Sequence, residues 1–230
     1  MSAELGIIGL GRTAYGEALD LQRDLAQRRI DRSLEHDVLL LVEHPPVITL
    51  GRGSQARHLV APKEFLAAKG VELFEVERGG DVTFHGPGQL VGYPIYDLKE
   101  HRRDLHWFLR RLEECLIQAL GQFGVPAERR EGYTGVWTAG RKIASIGIHV
   151  RQWVTWHGFA LNVMTDLSFF DLIVPCGIPD VTMTSIQREL GERSPRDLWG
   201  RALDAVVLSF CEVFQQRARM MELAAAISGR

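Results

Sequence analysis

Apolar residues fall into two kinds of run along this chain. Short blocks rich in Val, Ile, Leu and Phe, bounded by Gly, Pro or charged residues, predict strands: VLLLV (38–42), VITL (47–50), VELFEVE (71–77), LVGYPIYDL (90–98) and VTWHGFALNV (154–163). The stretch GVWTAGRKIASIGIHV predicts a hairpin turning at Ala139-Gly140. Pro94 inside its block predicts an edge strand or a bulge. Other segments carry a helical period. Tyr15, Ala18, Leu19, Leu25 and Ala26 share one face of a first helix, with Thr13 placed to cap it. Asp104 caps a second, whose stripe is Leu105, Phe108, Leu109, Leu112, Leu116, Ala119 and Leu120. Thr184-Ser185-Ile186-Gln187 reads as a capping box, and Pro195 as the first residue of a last long helix carrying Val207, Cys211 and Phe214. Strands dominate the middle and helices the flanks, without a regular strand–helix alternation. That predicts one α+β domain over residues 1–230, with a mixed β-sheet core and flanking helices.

Composition narrows the function classes. A formal charge of −2 gives no reason to expect nucleic acid or an anionic membrane as partner. MSAELGIIGLGR lacks a basic segment before its short apolar patch, and no apolar run reaches spanning length, so neither signal peptide nor membrane segment is expected. Cys115, Cys176 and Cys211 are far apart and odd in number, which points to a reducing, cytoplasmic setting. None pair at zinc-ligand spacing, so no metal is expected. Lysine occurs only at 63, 69, 99 and 142, against 23 arginines. A position that keeps lysine is notable because lysine can give up its proton when desolvated and arginine cannot.

Several familiar patterns fail. Gly9-Leu10-Gly11-Arg12-Thr13-Ala14 fits a dinucleotide fingerprint, but the strand before it reads as barely five residues and no βαβ series follows. GVWTAGRK resembles a phosphate loop, except that Arg141 intrudes and Ile143 stands where a magnesium-binding hydroxyl belongs. Ser145 lacks the flanking glycines of a nucleophile elbow.

What remains is a set of blocks dense in unusual residues. RGGDVTFHGPGQLVGYP (78–94) places His85 among Gly79, Gly80, Gly86 and Gly88, which permit close backbone approach. In KIASIGIHV, strand alternation puts Lys142 with Ala144, Ile146 and Ile148, and Ser145 with Gly147 and His149 on the other face. Lys142 is either desolvated there, which disfavours its charge, or reaches back to water. Gly158 and Ala160 leave room on one strand face, for a ligand or for another backbone. LIVPCGI (172–178) sets Cys176 at a turn after an apolar run; Cys115 and Cys211 read as core.

RGGDVTFHGPGQLVGYP, GRKIASIG, HGFALNV, IVPCGI and VTMTSI, in this order and spacing, resemble the lipoyl(octanoyl) transferases, the octanoyl-[acyl carrier protein]:protein octanoyltransferases. The resemblance runs from about the first helix to the helix after Cys176. It implies a biotin/lipoate-ligase-like fold. It implies transfer of octanoyl (or lipoyl) from acyl carrier protein to a lysine of a lipoyl domain, on 2-oxoacid dehydrogenases and the glycine cleavage H protein, without ATP, metal or other cofactor and as a monomer. Cys176 would be the nucleophile that carries the acyl group, and Lys142 the general acid and base. Arg78, Gly79, Gly80, Asp81, Val82, Thr83, Phe84 and His85 would line the acyl site with Ser145, Ile146, Gly147, Gly158, Phe159 and Ala160. Thioester-to-amine transfer divides readily at a thiolate, and a neighbouring ammonium favours that thiolate. Arg102, Arg103, Arg129, Arg130 and Arg141 are candidate docking residues for an acidic carrier protein. Two other readings stand beside this one: an ATP-dependent lipoate or biotin ligase on the same fold, and a non-enzymatic module that binds acyl groups or carrier protein.

Overall fold

The computed structural model describes residues 3–228. Strand β1 (Glu4–Arg12) and helix α1 (Tyr15–Ile30) are followed by β2 (Asp37–Glu43), β3 (Val47–Leu50), the short helix α2 (Lys63–Ala68), β4 (Glu72–Glu75), β5 (Val82–His85) and β6 (Gln89–Ile95). Helix α3 (Leu105–Gly121) precedes β7 (Val136–Thr138), β8 (Arg141–Arg151) and β9 (Val154–Asn162). Then come α4 (Ile186–Leu190), α5 (Leu198–Phe214), β10 (Arg217–Met220) and α6 (Leu223–Ser228).

The strands form a seven-stranded sheet, β10-β1-β2-β6-β9-β8-β7, and a three-stranded sheet, β4-β3-β5. Both are mixed: β1 runs parallel to β10 and β2, β3 runs parallel to β4, and the other pairs are antiparallel. The unbroken apolar run of β2 has a direct cause. Leu39 and Leu41 pack toward α3 and α5, while Val38, Leu40 and Val42 pack toward α1, so both faces are buried. Helix α3 starts where Asp104 accepts a hydrogen bond from the Trp107 amide at 3.0 Å; Phe108, Leu112, Cys115, Leu116, Ala119 and Leu120 of its stripe are buried, and Leu105 and Leu109 are partly buried. The small sheet meets α1 where Val47 and Val76 pack on Tyr15 and Leu19, and it has a separate core around Ile48, Val82, Phe84 and Phe170.

Several local expectations are corrected. Thr13 does not cap α1; its hydroxyl donates to the Leu10 carbonyl, and Ala14 stands at the cap without a side-chain bond. The glycines of the would-be fingerprint lie within β1, which bulges between Gly9 and Gly11 rather than turning there. The capping serine of α4 is Ser185, one residue on from Thr184, and α5 starts after Asp197, beyond Pro195. Cys211 is half-buried rather than core. Strand β6 is central, not an edge. It tolerates Pro94 because its pairing with β9 stops at Gly92–Phe159, where His157 adopts a left-handed backbone with φ of 56°.

Candidate active site

Strand β8 carries one residue too many against β7. Val136 faces Ala144 and Trp137 faces Lys142, leaving Ile143 as the extra residue of a bulge. The alternation expected for KIASIGIHV therefore breaks at its start. Ile143, Ala144, Ile146 and Ile148 turn to the α3 side, and Lys142 joins Ser145 on the other. Lys142 is 1% exposed, so it does not reach back to water. Its Nζ lies 5.0 Å from the centre of the Trp137 ring and 3.1 Å from Sγ of Cys176. The Ser145 hydroxyl is 3.7 Å from the same sulfur.

Cys176 is held at that meeting point by a strained turn. Its φ is 57° and that of Gly177 is 64°, two left-handed residues in succession. The turn is closed by the Gly177 amide donating to Val174 at 2.9 Å and the Ile178 amide donating to Pro175 at 3.1 Å. A Cβ on Gly177 would press on the Asp81 carboxylate and the His58 ring. Those two side chains are themselves locked, His58 Nδ1 lying 2.6 Å from Asp81 Oδ2. Gly177→Ala is therefore expected to displace the thiol and slow acyl transfer about 100-fold, since small misplacements at a reacting centre cost that much. Gly124→Ala, also left-handed but with open space around its Cβ, should carry backbone strain only and keep its transfer rate. Comparing the two rates checks the argument.

A cavity of about 310 Å³ opens beside the thiol, between the large sheet and β5. From β5 and its approach, Arg78, Gly80, Asp81, Thr83 and His85 face it. Val82 and Phe84 do not: they alternate into the small-sheet core, which corrects the expectation that they line the site. Gly79 acts through its backbone, its amide donating to the Ile148 carbonyl at 2.9 Å and pinning the loop to β8. Ser145, Ile146, Gly147, Gly158, Phe159 and Ala160 all border the cavity. Gly147 also leaves space for the Gly79 carbonyl, and Gly158 for Gly92, so these glycines serve both close backbone approach and an open pocket.

Arg78 and His85 border the cavity, and the His44 ring lies behind His85 with centroids 6.0 Å apart. Arg78 is 7% exposed and donates to the Thr49 carbonyl at 2.8 Å and to the Thr49 hydroxyl at 2.9 Å. Burial lowers its pKa, but a guanidinium remains charged. Burial pushes His44 down to about 4 and, with His44 as neighbour, His85 down to about 3. Their tautomers are fixed. His44 Nδ1 donates to the Thr13 carbonyl, so its Nε2 accepts from the Tyr93 hydroxyl. Gln89 spends its NH2 group on Phe84 and Asn162, so its oxygen accepts from His85 Nδ1 and leaves Nε2 as the acceptor. An unfolded histidine titrates near 6.5, so between that pH and the folded values the unfolded chain binds more protons. Stability from both residues is full above about pH 6.5 and falls with acidification, by about 2 kcal/mol per histidine at pH 5. Urea midpoints between pH 7 and 5 test this; a flat profile would contradict it.

Of the proposed docking arginines, Arg129 is paired with Glu113 and Glu114, Arg141 with Glu189 and Arg102 with Asp104. Arg130 stacks over Tyr133, which borders the cavity. Residues not anticipated from sequence also line it, chiefly Tyr15, Tyr93, Tyr133 and His157. Tyr93 lies within the block RGGDVTFHGPGQLVGYP that pointed to the site. Among the described residues, no group of three or more His, Cys, Asp or Glu side chains is arranged to hold a metal ion, and no helix is long and apolar enough to cross a membrane.

Residues 14–206 match the lipoyl protein ligase A/B catalytic domain. The octanoyltransferase of Koribacter versatilis (strain Ellin345) is 47% identical, over 94% of this chain and 86% of its own length. That of Gloeobacter violaceus is 56% identical over 75% of each chain. The chain belongs to the octanoyltransferase family. Its fold is that of a lipoate-protein ligase A crystallised with ATP, with a TM-score of 0.78 at 16% identity, covering 99% of this chain and 92% of the other. In this octanoyltransferase fold four of the five sequence blocks that carried the resemblance border one cavity, with the thiol and the amine at its edge, while the fifth, VTMTSI, holds the Lys142 backbone through hydrogen bonds at Thr182 and Thr184.

Proposed function

We propose that the chain moves an octanoyl group from the phosphopantetheine thioester of acyl carrier protein to a lysine on a lipoyl domain, through an acyl thioester on Cys176. The observation that carries this reading is the 3.1 Å contact between Lys142 Nζ and Cys176 Sγ at the edge of a pocket. The thiol proton passes to the Lys142 amine, and Sγ attacks the donor carbonyl. The bond from that carbonyl to the pantetheine sulfur breaks, and the Lys142 ammonium returns a proton to the departing thiolate. The acceptor lysine, as a neutral amine, then attacks the Cys176 thioester. An amide forms, the bond to Sγ breaks, and the amine proton goes to the dyad. The Ser145 hydroxyl, 3.7 Å from Sγ, and the Arg78 guanidinium, which borders the same cavity, are polar and charged groups that favour charge developing on the carbonyl oxygen. The cavity of about 310 Å³ takes the alkyl chain.

No step uses ATP. A purified chain given octanoyl-acyl carrier protein and an apo lipoyl domain should therefore form octanoyl-lysine in nucleotide-free buffer. Transfer that appears only with free octanoate and ATP would favour the ligase reading. Binding of octanoyl-acyl carrier protein without any transfer would favour the non-enzymatic one.

A further inference from the structure

Buried polar atoms are hydrogen-bonded as a rule. Among the described residues seven buried side-chain nitrogen or oxygen atoms have no hydrogen-bond partner, and four of them belong to residues in or against one cavity: Gln22 Nε2, Thr83 Oγ1 and both ring nitrogens of His157. Gln22 is fully buried, and His157 is 1% exposed. Thr83 and His157 line the acyl cavity. Gln22 is fixed beside His157 because its Oε1 accepts from the His157 amide at 3.0 Å. The Glu77 carboxylate stands 3.8 Å from His157 Nε2, too far for a hydrogen bond.

His157 marks the far end of the cavity. Ser145, next to the thiol, pairs with Ala160 across β8 and β9. His157 lies three residues before Ala160 on β9, roughly 10 Å along the strand at about 3.3 Å per residue. The left-handed backbone at His157 breaks the alternation of β9 and brings its ring to the cavity side. A pocket built only for an alkyl chain would end in apolar side chains, as the core clusters beside it do.

Resting on the acyl-cavity reading above, we propose that Gln22, Thr83 and His157 form a hydrated polar stop that sets the length of acyl chain the enzyme accepts. Ordered water bonded to these groups satisfies them, and the octanoyl tail ends against it. A longer alkyl tail must displace that water with a methyl group that cannot replace its hydrogen bonds, leaving buried polar atoms unpaired. A chain of the same extra length ending in a hydroxyl can replace them.

The test compares octanoyl, decanoyl and 9-hydroxynonanoyl thioesters of acyl carrier protein, the last two matched in chain length. Wild type should use 9-hydroxynonanoyl over decanoyl by about tenfold in kcat/KM. Gln22→Met keeps the helix and the side-chain bulk but removes the polar end, and should erase or reverse that ratio. His157→Asn, a residue that accepts left-handed backbone, deepens the pocket and should raise decanoyl use relative to octanoyl; it serves if the first variant does not fold. Octanoyl transfer with no preference for the hydroxylated chain, or a preference unmoved in both variants, would overturn the stop while leaving the functional reading intact. Absence of octanoyl transfer by wild type would overturn that reading, and the stop with it.

Discussion

Cys176→Ala should form no acyl-enzyme and transfer octanoyl at least about 10⁴-fold more slowly than wild type, because the reaction loses its nucleophile. Fold stability should be kept or raised, since the substitution leaves the turn backbone in place and exposes no cavity in a core cluster. The other two thiols give the contrast. Burial raises the Cys115 thiol well above its ordinary pKa, and burial also raises that of Cys211. Neither has a cation beside it comparable to Lys142, and neither borders the cavity. Cys115→Ala and Cys211→Ser should retain transfer within a few-fold. Transfer rates of the three variants, with circular dichroism melting to confirm folding, check the prediction.

Lys142→Met should cost about 10² to 10⁴ in transfer rate, the range for loss of a positioned general acid and base. The methionine matches the buried stem, so the Trp137 contact persists while the charge goes. Lys142→Arg keeps a cation near the sulfur but cannot exchange its proton at neutral pH. The two variants separate charge from proton transfer. Alkylation of Cys176 by iodoacetamide at pH 7 should slow in Lys142→Met and survive in Lys142→Arg, while acyl transfer falls in both. Unchanged alkylation and transfer in Lys142→Met would make Lys142 a packing residue. His85, whose Nε2 is an acceptor, would then be the next base to test.

Much of this arrangement could be read from the sequence, and the gaps have a common origin. The buried strand VLLLV, the Asp104 cap and the hairpin turn at Ala139-Gly140 are local, set by residues a few positions apart. Ala139 and Gly140 have φ values of 46° and 77°, as a tight hairpin requires. The bulge at Ile143 is not local. It depends on the register of β8 against β7, and it decides on which face Lys142 lies. Strict alternation therefore placed the right residue on the wrong face. The left-handed residue His157 is likewise invisible in a strand-like sequence, although it both ends the β6–β9 pairing and brings its ring to the pocket. Val82 and Phe84 came into the expected site with the block that contains them. The alternation of VTFH, with Thr83 and His85 inward, separates them once the cavity side is known. Cys176 was legible because a proline and a glycine flank it, but the left-handed geometry of the cysteine itself was not.

The central claim is that Cys176 carries the acyl group while Lys142 serves it. The most direct measurement is intact-mass analysis of the chain mixed with octanoyl-acyl carrier protein, without ATP and without acceptor, followed by peptide mapping. One octanoyl group per chain is predicted, on the peptide containing Cys176, and it should be discharged when an apo lipoyl domain is added. An adduct on Cys115 or Cys211, or one that forms on Cys176 but persists in the presence of the acceptor, would contradict the account.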